Sequence, residues 1–451
     1  MSIARTGHDQ PMPGWVPMSA YAGLRMPLAL LELPLFVLLP NFYSATLGLE
    51  LAIVGTVLFV ARLLDAVLDP ALGGLIDHQS DRFHYRQWIW LSLPVLAIGF
   101  AAMLNPPVTG SALAVWLAIT SMVTYLAYSI TSIAYQAWGA EIGSTDAHRA
   151  RVTGVREGFG LVGVLVASGF LTPEGVPTLT ILFTVFSLGC ALALIKAPMG
   201  RRVDPRAAAP NVLSTIATER SVQSPLKTLF GSWSVLKTNP PFRWLLTVLL
   251  LNGIATAIPA TLVLFFIEDV LHSADKAPLF LGAYFLAGAA GMPLWIWLAG
   301  RIGLRNAWLL GMGFAVIAFI WALELGAGDT GGFMVVCLLT GLALGADLAM
   351  PPALLASVIA RHPDAGTREG AYFGVWNFTT KLNLAAAAGL ALPLLSVLGY
   401  IPGEATDQPA LALPMVYAAL PSALKLLAAM LLFVAPITEP DSPGAPSSQT
   451  S

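Results

Sequence analysis

Charge is scarce in this chain. Only 11% of its 451 residues are Asp, Glu, Lys or Arg, where a soluble domain has about a quarter, while 57% are hydrophobic and the mean hydropathy is +0.75. That balance excludes a soluble globular domain and defines a polytopic membrane protein. Cysteine is almost absent. Cys190 and Cys337 both fall in apolar runs and share no motif with histidine, which excludes a disulfide framework and a zinc site. Neither sign of charge dominates, so the net charge of −2 gives no reason to expect nucleic acid. Histidine is missing from every long apolar run: His8, His78, His84, His148, His272 and His362 fall in the N-terminal lead-in or in loops. A proton route through the membrane must then use carboxylates. The N-terminus has no contiguous apolar h-region and no cleavage signature, and reads as a cytoplasmic lead-in.

What is present is a series of apolar runs, each about 20 residues or longer, enough to cross about 30 Å of hydrocarbon. Twelve spans are marked near residues 20–44, 49–76, 87–106, 111–139, 153–173, 178–197, 242–270, 277–300, 306–326, 332–360, 370–400 and 409–436. They predict an all-α membrane protein of twelve transmembrane helices. Its two six-helix halves cover 1–197 and 242–436, joined by a cytoplasmic linker over 198–241 and followed by a disordered tail over 437–451. Eighteen of the 23 Lys and Arg residues fall in the lead-in and in alternate loops, counting the extreme residues of the flanking helices, one (Lys276) in the opposite loops and four (Arg25, Arg62, Lys381 and Lys425) further inside spans. By the positive-inside rule both termini are cytoplasmic.

A faint repeat relates the halves. After span 2 the chain reads "DPALGGLIDHQSDRFHYRQWIW" and across the end of span 8 "GMPLWIWLAGRIGLRNAWLL", each with Pro, Arg-x3-Arg (Arg82 and Arg86, Arg301 and Arg305) and Trp. Following equivalent spans, it supports a duplicated transporter of the major facilitator type, whose halves are related by an axis along the membrane normal.

Charges inside a span cost at least about 2.5–3.5 kcal/mol each on insertion scales, so they are retained for pairing or function. In "ARLLDAVLDP" of span 2, Asp65 and Asp69 at i,i+4 stack on one helical face with Arg62. Two acids with one base suit a captured Na⁺ or a shared proton. The alternative is an Arg62–Asp65 salt bridge with Asp69 and Pro70 ending the turn. Lys381 of span 11, among Asn377, Thr379, Thr380 and Asn383, is the natural charge compensator for these acids. In span 1, Arg25 and Glu32 share a face about 10 Å apart along the axis, too far to pair directly, so each needs a partner elsewhere. Span 4 carries a polar stripe of Ser129, Ser132 and Gln136. Arg156 and Glu157 open span 5 as cavity or interfacial residues. Asn252 of span 7 and Asp347 of span 10 are further candidates, and Lys425 of span 12 has no evident partner.

These residues resemble the glycoside-pentoside-hexuronide:cation symporter family, the melibiose-carrier group of the major facilitator superfamily. The resemblance covers most of the spans. It is strongest over "ARLLDAVLDPALGGLIDHQSDRFHYRQWI" and "GTREGAYFGVWNFTTKLNLAAAAGLALPLLSVLGY", with support from "SIAYQAWGAEIGSTDAHRARVTGVREGFGLVG". It implies that Asp65 and Asp69 form the cation site, a metal site if the ion is Na⁺, that Ser129 supplies a hydroxyl beside it, that Lys381 lies near it and that Arg156 approaches the substrate. The chain departs from the family at two positions where the melibiose carrier has sugar-binding aspartates: Ala29 in span 1 and Ser132 in span 4. Glu32, one turn beyond Ala29, is placed to restore one of them.

The expected function is cation-coupled symport of a small organic solute, a sugar or glycoside, by alternating access in a bacterial inner membrane. Na⁺ or H⁺ is the coupling ion, with no other cofactor, no nucleic-acid partner and a monomer as the working unit. Asp65, Asp69, Ser129 and Ser132 are the candidate cation ligands, and Lys381 and Arg62 the compensating charges. Glu32, Arg25, Gln136, Arg156, Trp376, Asn377 and Asn252 are the candidate substrate residues. A carrier of lysophospholipid-like amphiphiles on the same architecture is the alternative. An enzyme is disfavoured: the chain has no nucleophile–base pair, no histidine metal motif and no phosphate loop.

Overall fold

The structure, a computed structural model, describes residues 14–39, 42–79, 83–170, 175–198, 231–400 and 412–437. The lead-in with His8, Arg82 of the first Arg-x3-Arg copy, most of the linker and the tail after Ile437 lie outside the described residues. In lipid the backbone must satisfy its own N–H and C=O groups, which helix does within one segment, and among the described residues each of the twelve expected spans contains helix. Among the described residues, eight helices are long and apolar enough to cross a bilayer: Tyr85–Leu104, Ala112–Ile142, Val176–Lys196, Pro240–Val270, Ala274–Ile302, Leu304–Glu324, Thr330–Ala360 and Ala412–Val434. Spans 2, 5 and 11 are the helices Leu51–His78, Asp146–Ser168 and Glu369–Val397. Spans 2 and 5 overrun their expected limits, because a helix continues into its polar end turns. His78 and His148 therefore sit on helix ends, not in loops.

Span 1 is interrupted. Helix Trp15–Ala22 stops at Gly23, helix Arg25–Leu33 resumes, and the chain widens into a π turn over Pro34–Leu38, beginning at a proline that has no N–H to donate.

The described residues group into two compact units. Unit 1 falls within Met1–Ser144, Val155–Thr238 and Ile359–Phe378, and unit 2 within Thr145–Gly154, Asn239–Val358 and Thr379–Ser451. Compared with the expected halves, the start of span 5 groups with unit 2 and the start of span 11 with unit 1.

Within unit 1, glycine sets the closest helix approaches. A side chain at Gly73 of span 2 would strike the backbone of Gly370 at the start of span 11, and one at Gly374 would strike the carbonyl of Asp69. Beside this contact Asp77 accepts the backbone N–H groups of Gly370 and Ala371 at 2.7 and 2.6 Å, satisfying two donors of that helix end. Spans 1 and 4 are tied by reciprocal bonds: the Tyr21 hydroxyl donates to the Tyr135 carbonyl at 2.9 Å and the Tyr135 hydroxyl to that of Tyr21 at 3.1 Å.

Unit 2 has an aromatic core in which Phe266 stacks on Tyr417 at 4.2 Å, with Phe280 and Phe333 packed alongside. Arg305, from the second Arg-x3-Arg copy, donates through Nε to the Leu432 carbonyl at 3.1 Å and through Nη2 to that of Phe433, placing a cation at the carboxyl end of span 12.

Candidate functional site

Span 2 presents two faces. Leu63, Leu64 and Val67 are 53%, 44% and 55% exposed, whereas Asp65 is 5% and Asp69 0% exposed. The apolar side chains face outward and both acids point into the protein, as their i,i+4 spacing requires. The Ser129 hydroxyl of span 4 donates to Asp65 Oδ1 at 2.7 Å. Arg62 turns to span 1, donating through Nη2 to the Leu35 carbonyl at 2.8 Å, with Nε 3.4 Å from the Tyr125 hydroxyl. Two carboxylates one turn apart, with a hydroxyl on the first, offer hard oxygen ligands that suit Na⁺ or a proton.

The polar stripe of span 4 divides between two groups. Ser129 belongs to the acids, but the Ser132 oxygen accepts from Gln136 Nε2 at 2.8 Å, and the same nitrogen donates to Asn377 Oδ1 at 3.1 Å. Trp376, next to Asn377, is buried.

A second cluster runs from span 1 to span 5. Glu32 Oε1 accepts from Arg25 Nη1 at 2.7 Å and from the Tyr128 hydroxyl. This overturns the expectation that Arg25 and Glu32 cannot meet. The two-turn axial offset separates their backbones, but an extended arginine and a glutamate together bridge it. Arg25 Nε donates to Glu157 Oε2 at 3.1 Å, and Arg156 Nε to Glu157 Oε1 at 2.8 Å. Acid and base thus alternate along Glu32, Arg25, Glu157 and Arg156. Side-chain exposure falls along the same path, from 32% and 22% at Glu32 and Arg25 to 10% and 5% at Glu157 and Arg156. The cluster opens at Glu32 and closes at Arg156. The absent side chain of Gly160 leaves room for the Arg25 stem.

Lys425, without an evident partner in the sequence, has two in unit 2. Its Nζ donates to Asp347 Oδ2 at 2.5 Å and to Asn252 Oδ1 at 2.8 Å. Asp347 Oδ1 also accepts from Asn252 Nδ2 at 3.2 Å and from Trp308 Nε1 at 2.9 Å. Asn252 is thus committed to a charged cluster joining spans 7, 9, 10 and 12. Lys381 lies in unit 2 as well, partly buried. Sequence reading did not single out Tyr128, Trp308 or Asp77. The first two are aromatic residues in apolar runs, with nothing in their spacing to mark a polar task. Asp77 lies just past the expected end of span 2, where a carboxylate reads as solvated.

This arrangement of spans and intramembrane charge is that of a secondary transporter, and comparison with known proteins gives the family. The chain matches the family model described as MFS/sugar transport protein over residues 17–439 and belongs to that family. It is similar to the isoprimeverose transporter of Lactiplantibacillus pentosus, at 26% identity with 82% of this chain and 78% of the relative covered. It is also similar to the sodium-dependent lysophosphatidylcholine symporter 1-A of Danio rerio, at 22% identity with 85% and 78% covered. The crystal structure of the E. coli fucose:proton symporter superposes with a TM-score of 0.65, covering 92% of this chain and 98% of that one at 14% identity, which gives the major facilitator fold. The protein is a transporter, not an enzyme.

Proposed function

We propose that the protein couples the downhill entry of Na⁺ or H⁺ to uptake of a sugar or glycoside by alternating access. The observation that carries this reading is the buried pair Asp65 and Asp69 with the Ser129 hydroxyl on Asp65, in a chain whose family relatives include an isoprimeverose transporter. Asp65, Asp69 and Ser129 hold the cation, with Ser132 close by on the same stripe. Glu32, Arg25, Arg156, Gln136, Asn377 and Trp376 form the substrate side, where carboxylate, guanidinium and amide groups match a polyol's many hydroxyls and an indole offers an apolar ring face. Lys381 and Arg62 remain the candidate compensating charges of this reading. The placement is a bacterial inner membrane with both termini and the linker cytoplasmic, and the working unit is the monomer.

The test is sugar uptake into reconstituted vesicles under a Na⁺ gradient or a pH gradient. Wild-type protein should accumulate sugar under one of them, whereas Asp65→Asn and Asp69→Asn should insert normally and lose accumulation. Wild-type accumulation by both variants would sink the cation assignment. Uptake of lysophospholipid in place of every sugar would transfer the protein to the amphiphile reading that the Danio rerio relative represents.

A further inference from the structure

Pairing within unit 1 bears on which sugars the site accepts, an inference that rests on the reading of Arg25, Glu32 and Arg156 as substrate residues. An acidic sugar presents a carboxylate, and an arginine fork is the side chain best shaped to take it. Both guanidiniums in this cluster already hold one. Glu157 gives Oε2 to Arg25 Nε at 3.1 Å and Oε1 to Arg156, whose Nε and Nη2 both lie at 2.8 Å. Arg25 is engaged a second time, through Nη1, by Glu32 at 2.7 Å. Two acids thus neutralise two bases, and the Glu157–Arg156 contact lies at the closed end of the cluster, where water competes least.

We propose that Glu157 is a specificity-determining residue, a built-in carboxylate that fills the arginine forks a substrate carboxylate would need and so restricts the site to uncharged sugars. An arriving uronide would have to displace Glu157 and strand its charge in a buried position, or sit as a third acid against two bases; both are costly. A neutral hydroxyl meets no such penalty. Glu32 receives Arg25 and Tyr128 on Oε1 and is about one-third exposed, which leaves Oε2 to accept from a sugar.

The experiment uses the full chain in proteoliposomes with two matched pairs of probes, methyl β-D-glucoside with methyl β-D-glucuronide and methyl β-D-galactoside with methyl β-D-galacturonide. Within a pair only the group at C6 differs, hydroxymethyl against carboxylate. Affinity is read from thermal stabilisation and from counterflow. Wild type should bind the neutral member of at least one pair and discriminate against its uronide. Glu157→Gln, which keeps shape but removes the acid paired with Arg156 and leaves Arg25 with Glu32 alone, should shift the uronide-to-neutral affinity ratio by about tenfold or more toward the uronide, the scale of one charge-assisted hydrogen bond. Glu157→Asp draws the carboxylate back by one methylene and should shift the ratio the same way by about threefold; it carries the test if the glutamine variant does not fold. A wild type that binds uronide as well as its neutral partner, or variants whose ratio does not move, would overturn the role of Glu157. If no sugar of either pair binds wild type or variant, the reading of this cluster as a sugar site is overturned and the inference falls with it.

Discussion

Ser129 decides more than its size suggests. Its hydroxyl donates to Asp65 at 2.7 Å inside the protein, and in the proposed site the same hydroxyl is an oxygen ligand for Na⁺. Ser129→Ala is therefore expected to raise the Na⁺ concentration for half-maximal uptake by about threefold to tenfold, for loss of one interaction with a charged group. Titrating uptake against Na⁺ checks this, and an unchanged titration would remove Ser129 from the site. At this scale the sequence was partly legible. Intramembrane Asp65, Asp69, Arg25 and Glu32 are conspicuous because charge in a span is costly. Who pairs with whom was not, since helical periodicity gives the face of one helix and says nothing of the neighbour across it. The Arg25–Glu32 bond was misjudged for a simpler reason: axial rise measures backbone separation and ignores the length of the two side chains.

Helix contacts show which glycines the fold requires. Gly73 has the Gly370 backbone where its side chain would be, whereas Gly55, on the same helix, has nothing within 4 Å. Gly73→Ala is expected to force the helices apart and cost about 1–3 kcal/mol, as overpacking does. Gly55→Ala should be neutral or stabilising by up to about 1 kcal/mol through helix propensity. Thermal unfolding followed by size exclusion in detergent compares them, and equal losses would deny the contact its role. The charged cluster of unit 2 makes a second prediction. Lys425→Met leaves Asp347 buried without its cation and should cost about 3–5 kcal/mol, while Lys425→Met combined with Asp347→Leu should recover most of it. A double variant no more stable than the single one would show that the pair is not coupled. Element positions were the most legible feature of the chain, because a run of about 20 apolar residues has few other uses. The break at Gly23 and the π turns were not, since they depend on local backbone fit more than on composition.

For the molecule as a whole, orientation follows from charge placement. Eighteen of the 23 basic residues fall in the lead-in, in alternate loops and at the helix ends that flank them, and the proposed orientation puts these in the cytoplasm by the positive-inside rule. A cysteine substituted at Ser221, in the linker, should be labelled by an impermeant thiol reagent only after the cells are opened. Labelling of intact cells would reverse the orientation. The long polar interruption between spans 6 and 7 is the sequence feature behind the expected division into halves. The grouping of short stretches of spans 5 and 11 with the opposite unit was not legible, because it arises from side-by-side packing of segments far apart in the chain.

The Asp347–Lys425 bond also sets a timetable for biosynthesis. The two residues are 78 positions apart, and at about 5–20 residues per second the ribosome finishes the second some 4–16 seconds after the first. Throughout that interval span 10 carries an acid whose cation has not yet been made, so its lateral release into lipid is opposed until span 12 emerges. Nascent chains arrested before residue 425 should remain at the insertion machinery or be degraded, whereas chains arrested well after it should be released.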